Sequence, residues 1–79
     1  MKKSELLKDV FKSILEIEDS QFNDNITYQS IPQWDSINHM FLISEIESVF
    51  DIEINPEDIL ELKSFEQAQK VLGKYGIKF

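Results

Sequence analysis

The sequence predicts an all-α domain: a four-helix bundle with a long loop after its first helix and a short third helix. Three observations lead there. Apolar residues recur at three-and-four spacing in the opening segment and again at mid-chain. Helix-start residues stand ahead of each later apolar run, and no stretch of strand length alternates apolar with polar. Residues 1–79 are expected to form a single domain, because 79 residues suffice for one core and leave little chain to wall off a deep catalytic cleft.

In the first helix, placed at about residues 4–17, Leu6, Leu7, Val10, Phe11, Ile14, Leu15 and Ile17 share one face, and Ser4 stands where a cap would. The following stretch, EDSQFNDNITYQSIPQW, is dense in Asp, Asn, Ser and Gln and has no period. Loops of that length are uncommon in small domains and are often functional. Phe22, Ile26 and Tyr28 are expected to pin it to the core. Asp35 or Ser36 can cap the second helix, which runs to about Phe50 with no Gly or Pro inside. Asn55 as cap, Pro56 at the first helical position, and Glu57 and Asp58 near the positive end predict a third helix over about residues 56–61. Ser64 and Gln67 form a capping box ahead of Phe65, Ala68, Val71 and Leu72, and Gly73 suits a left-handed stop.

Composition excludes several classes of function. With no cysteine there is neither a disulfide nor a thiolate metal site. All eight basic residues are lysines near the two ends, and residues 13–62 hold only acids among their charges, a block that would repel a phosphate backbone. Nucleic acid is therefore not an expected partner; a basic protein surface is. The opening MKKSELLKDVFKSILEI carries charges throughout its apolar run and lacks a small-residue cleavage site, so it reads as part of a mature cytoplasmic fold. No apolar run nears the roughly 20 residues of a membrane span, so no membrane insertion is expected. Asp51, Glu53, Asn55 and Glu57 at alternate positions hint at a calcium loop, but Pro56 stands where that loop needs glycine and Leu62 where it needs glutamate. No metal site is expected.

Placed about 100° apart, the residues of the second helix divide into two apolar arcs. Leu42, Ile43, Ile46, Val49 and Phe50, with His39 at the upper end, form a core stripe. Ile37, Met40 and Phe41 lie on another arc with Ser44 and Ser48. That second arc is either buried under the long loop or presented as a docking surface rimmed by Asp35, Glu45 and Glu47. Ser36 at the helix start invites comparison with a nucleophile. Yet the single histidine, His39, points toward the core stripe, and the sequence offers neither a triad orienter nor a pocket. No catalytic residue is assigned. A helix N-terminus does favour an anion, so a serine there could carry a phosphodiester.

The stretch WDSINHMFLISEIESVFDIEI resembles the modification motif and second helix of acyl carrier proteins, in which Asp-Ser-Leu or a close variant opens a helix. This chain reads Asp35-Ser36-Ile37. The order of elements, the acidity and the size agree with that family over nearly the whole length. The resemblance implies an acyl-carrier-type four-helix bundle and a non-catalytic carrier. In that family the serine, here Ser36, receives 4′-phosphopantetheine from a phosphopantetheinyl transferase, with Asp35 bordering the site. It further implies acyl or aminoacyl thioesters as cargo, and acyl- or aminoacyl-activating and acyl-transferring enzymes with basic docking surfaces as partners. Those enzymes would bind Ile37, Met40 and Phe41 while Glu45 and Glu47 orient them. Trp34 is either a loop anchor or a contact for the arm or its cargo. A monomer is expected.

Departures from the motif bear on the pathway. Ile31-Pro32-Gln33-Trp34 replaces the Leu-Gly approach of many fatty-acid carriers, and Phe41 stands where those relatives have an acid. The Trp-Asp-Ser approach is similar to that of discrete carriers of specialised pathways, such as surface-saccharide modification, amino-acid activation or small polyketide-like products. The alternatives are a carrier of primary fatty acid biosynthesis and an unmodified carrier-like interaction module. Bulky Phe and Trp near the entrance imply limited room, so short or polar cargo is expected in preference to long acyl chains.

Overall fold

The structure is a computed structural model that describes residues 3–22 and 26–79. It contains α1 (Lys3–Leu15), α2 (Ser36–Phe50), α3 (Pro56–Glu61) and α4 (Phe65–Gly73). Among the described residues the only extended pairing is an isolated antiparallel bridge between Thr27 and Ser64. The all-α class, the four elements and the short third helix are as the sequence predicts.

The apolar face of α1 buries Leu7, Val10, Phe11 and Leu15. The helix ends earlier than its pattern suggests. Glu16 turns into the left-handed region at φ 53°, and the Ile17 amide reaches back to the Lys12 carbonyl at 3.1 Å. Ile17 is still buried, but from the turn rather than the helix. Ser4 lies inside α1 rather than at a cap position. Lys12 pairs with Asp9 at 3.6 Å and with Asp19, tying the start of the loop to the last turn of α1.

The loop is anchored as expected, with Ile26 buried and Phe22 and Tyr28 packed against the core. Phe22 meets Phe65 edge-on at 5.1 Å, and the Tyr28 amide donates to the Lys63 carbonyl at 2.7 Å. A serine turn closes the next step: the Thr27 amide donates to Ser30 Oγ at 2.9 Å, and that hydroxyl donates to the Thr27 carbonyl at 2.6 Å.

α2 lays Leu42, Ile43 and Ile46 into the core. Val49, expected there too, is 38% exposed. It sits roughly 60° round the helix from Ile46, on the side away from Ile43. Phe50 takes the seam instead and stacks edge-on against Phe79 at 6.3 Å. Asp51, left-handed at φ 55°, stops the helix by donating its amide to the Glu47 carbonyl. Asp tolerates that conformation better than most non-glycine residues.

α3 is too short to persist on local hydrogen bonds. Asn55 occupies its cap position, but the Asn55 side chain makes no capping hydrogen bond. The Asn55 carbonyl accepts from the Asp58 and Ile59 amides instead. α4 starts as expected, with Ser64 Oγ accepting from the Gln67 amide at 3.0 Å. It ends at Gly73 as expected, but the left-handed glycine is Gly76 at φ 86°, not Gly73. A further turn over Lys74 and Tyr75 intervenes, and the Ile77 amide returns to the Leu72 carbonyl at 3.3 Å. That extra turn delivers Lys74 and Tyr75 to α3.

Candidate functional site

Of the two capping candidates, Asp35 is the cap. Its backbone is extended, its Oδ1 accepts from the Asn38 amide at 2.8 Å, and its carbonyl accepts from the His39 amide at 2.8 Å. Asn38 Nδ2 donates back to the Gln33 carbonyl at 2.7 Å, so the approach to the helix and its first turn form one hydrogen-bonded unit. Ser36 is the first helical residue and is exposed. The leading amides of a helix have no acceptor within it, and the macrodipole places partial positive charge there. An exposed hydroxyl at that end is chemically suited to a phosphodiester.

His39 is not a base for that hydroxyl. It is buried, its Nδ1 accepts from Trp34 Nε1 at 3.0 Å, and its Nε2 lies 2.9 Å from the Ile59 carbonyl, which can only accept. Those two bonds define the neutral tautomer with its proton on Nε2 and leave no lone pair for Ser36. The imidazole therefore joins the loop, α2 and α3.

Trp34 is fully buried. Its ring meets Phe11 edge-on at 5.4 Å and Tyr28 at 6.3 Å, and lies near-parallel to the His39 ring at 6.1 Å. Of the two readings of Trp34, burial supports the loop anchor over a contact for the arm or its cargo. The side chain anchors the loop, because its large apolar area and its N–H are both satisfied inside.

The second arc of α2 is exposed: Ile37 by 67%, Met40 by 51% and Phe41 by 59%. Three residues at i, i+3 and i+4 make one strip, which begins beside Ser36. The long loop does not cover them in the described residues. Glu45 borders the strip, half-buried. Glu47 has a duty within the chain, since its Oε2 accepts from the Ile54 amide at 2.8 Å and holds the segment leading into α3. Sequence reasoning missed Leu60, which is 72% exposed on α3. Its signal is the adjacent pair Ile59-Leu60: on a one-and-a-half-turn helix only one of two neighbours can face inward.

Beneath α3 lies a polar cluster that periodicity could not reveal. The Asp58 carboxylate, nearly buried, accepts from Tyr75 Oη at 2.6 Å and from Lys74 Nζ at 3.1 Å. Tyr75 Oη in turn accepts from the Asn55 amide at 2.9 Å, and Lys74 also reaches Glu61 at 3.3 Å. The hydrogen bond from Tyr75, then that from Lys74, holds the Asp58 carboxyl below the usual carboxylate range against the opposing effect of desolvation. Lys74 is raised by its hydrogen bonds to Asp58 and Glu61. Both shifts favour the charged pair.

The family description "phosphopantetheine attachment site" matches residues 5–68, from within α1 into α4. The chain belongs to this family of acyl carrier proteins. Its cofactor is covalent 4′-phosphopantetheine, and the family is a non-catalytic carrier. The fold of this carrier is similar to that of a Mycobacterium tuberculosis protein described as an acyl carrier protein (Rv0033), with a TM-score of 0.78 and 24% identity. The likeness covers 91% of this chain and 96% of that one, and at such identity it speaks for the fold alone. No curated protein sequence matches the chain. No helix among the described residues is long and apolar enough to cross a membrane.

Proposed function

We propose that Ser36 is the attachment residue and that this carrier presents acyl or aminoacyl groups to the enzymes of a specialised biosynthetic pathway. The observation that carries the reading is the exposed Ser36 hydroxyl at the first position of a capped helix, inside the matched segment and flanked by an uncovered apolar strip. When bound, the phosphopantetheine arm supplies a thiol that holds cargo as a thioester. The protein supplies position. Asp35 fixes the first turn through one oxygen of its carboxylate, and at the exposed surface it offers a charge to a basic residue of the transferase.

Ile37, Met40 and Phe41 serve as the apolar anchor for partner enzymes, and Glu45 with the outer part of Glu47 draws their basic surfaces in. Phe41 and the Trp34-Asp35-Ser36 approach favour a specialised pathway over primary fatty acid synthesis. A net charge of −7 disfavours self-association, so we read the carrier as a monomer. A cytoplasmic location accords with coenzyme A as donor of the arm.

Incubation with coenzyme A and a broad-specificity phosphopantetheinyl transferase tests the assignment by intact mass and peptide mapping. One arm on Ser36, abolished in Ser36→Ala, is the expected result. Modification at Ser30 or Ser44, or none in a folded sample, would overturn it, and the last outcome would favour an unmodified interaction module.

A further inference from the structure

A chain attached near Ser36 can lie outside the bundle or pass inward beside α2. Three aromatic side chains pack on the inner side of the start of that helix. Toward α1, the fully buried Trp34 ring is packed edge-on against Phe11. Toward the α3–α4 connection stands Tyr28, 5.1 Å from His39 between ring centroids and tied by its amide to the Lys63 carbonyl. Toward α3, His39 spans the seam itself, with Nε2 on the Ile59 carbonyl and Nδ1 on Trp34.

An alkyl chain entering between α2 and α3 past His39 would part its hydrogen bond to the Ile59 carbonyl. It would leave that carbonyl and the His39 Nε2–H beside methylene groups that cannot bond them, so entry there works against itself. We infer that His39, clamped between Trp34 and Ile59, is a specificity-determining positioning residue that closes the α2–α3 seam and keeps the cargo outside. The class of cargo this suits is short or polar acyl and aminoacyl groups, which lose little by remaining in water, rather than long alkyl chains, which gain by being covered. This inference rests on attachment at Ser36.

The test loads the carrier with phosphopantetheine bearing butanoyl, octanoyl or dodecanoyl groups, each ending in a solvatochromic fluorophore, and begins with peptide mapping. Failure to find the arm on Ser36 would overturn the attachment reading. With Ser36 loaded, the expected result is water-like emission at every length and a melting temperature that stays constant along the series. Blue-shifted emission with a melting temperature climbing by about 4 °C or more from the shortest to the longest chain, as sequestration would give, would overturn the closed seam. In a folded His39→Ala carrier the octanoyl and dodecanoyl probes should shift to the blue while butanoyl does not. Water-like emission from all three in that variant would remove His39 from the role. Should His39→Ala fail to fold, His39→Asn, which keeps a polar group but is too short to span both partners, is read by the same two outcomes.

Discussion

α2 and α3 stand side by side in function but are held in place by different means. α2 has 15 residues, a side-chain cap at Asp35, a left-handed stop at Asp51 and three fully or nearly fully buried aliphatic side chains. α3 has six residues, no side-chain cap and one buried side chain, the carboxylate of Asp58. Its remaining supports come from elsewhere: Glu47 holds the segment before it, Tyr75 and Lys74 hold its first turn, and His39 holds the Ile59 carbonyl. The difference teaches that the helix bearing Ser36 is a fixed platform whose order is local and apolar. The neighbouring helix, flanked by the buried Ile54 and Leu62, depends in addition on polar bonds that chemistry or a single substitution can release. Segments secured in that way open before the whole domain does.

Five substitutions break or sharpen this contrast, in decreasing order of effect. Leu42→Ala removes a fully buried side chain from the platform and should cost about 2 to 5 kcal/mol in urea denaturation. Since α2 and the core stand or fall together, amide protection should drop by the same amount in both. His39→Ala leaves two buried partners unsatisfied and should cost about 1 to 3 kcal/mol. Here hydrogen exchange should accelerate in α3 more than in the middle of α2, and equal acceleration in the two helices would erase the distinction.

The third test uses acid. The folded-state value of the Asp58 carboxyl lies below its unfolded value of about 3.9. Its stabilising contribution is therefore fully present above that value and is lost as pH falls through the folded one. Amide shifts of residues 59–61 should move with that transition ahead of those of residues 42–46. Asp58→Asn should flatten the acid limb of stability, leaving the slope that Asp19 contributes with the same sign through Lys12. Conversely, Lys74 gives support that is present below its usual range and disappears as pH rises through its raised value.

Phe41→Ala should have the smallest effect on folding, under about 1 kcal/mol, because the ring is largely exposed. The same change should speed dissociation of a partner enzyme while leaving the salt dependence of binding nearly unaltered, as loss of a central apolar anchor does. Glu45→Gln should instead slow association and reduce its sensitivity to salt. A core-sized stability loss in Phe41→Ala would show that the strip belongs to the fold rather than to a docking surface.

Much of α2 was legible before any coordinates. Its start at Asp35-Ser36, its length and the division into two apolar arcs follow from a helical period and from the short list of side chains that can cap a helix. The bounds of α3 follow in the same way from Asn55-Pro56. The sequence could not say whether the Ile37, Met40 and Phe41 arc lies under the long loop or faces solvent, because that depends on what packs against it. For the same reason Val49 could not be told from Phe50 as the residue at the seam. The turn that follows α4 and puts the left-handed conformation at Gly76 rather than Gly73 was equally hidden, since either glycine can adopt it.

What the sequence by itself determined is the set of structures whose causes lie within a few residues: helix periods, caps, the acidic middle and the serine at a helix start. Only the tertiary structure decided the roles of His39, Trp34, Asp58 and Tyr75. Each of these side chains finds its partner across the fold. Tyr75 meets Asp58 from 17 residues away, and His39 meets Ile59 from 20. A one-dimensional period records which face a residue occupies but carries no information about which distant polar atom will be waiting there. The serine at its helix start is thus written locally, while the contacts of His39 and Trp34 beneath it exist only once α2, α3 and the loop have come together.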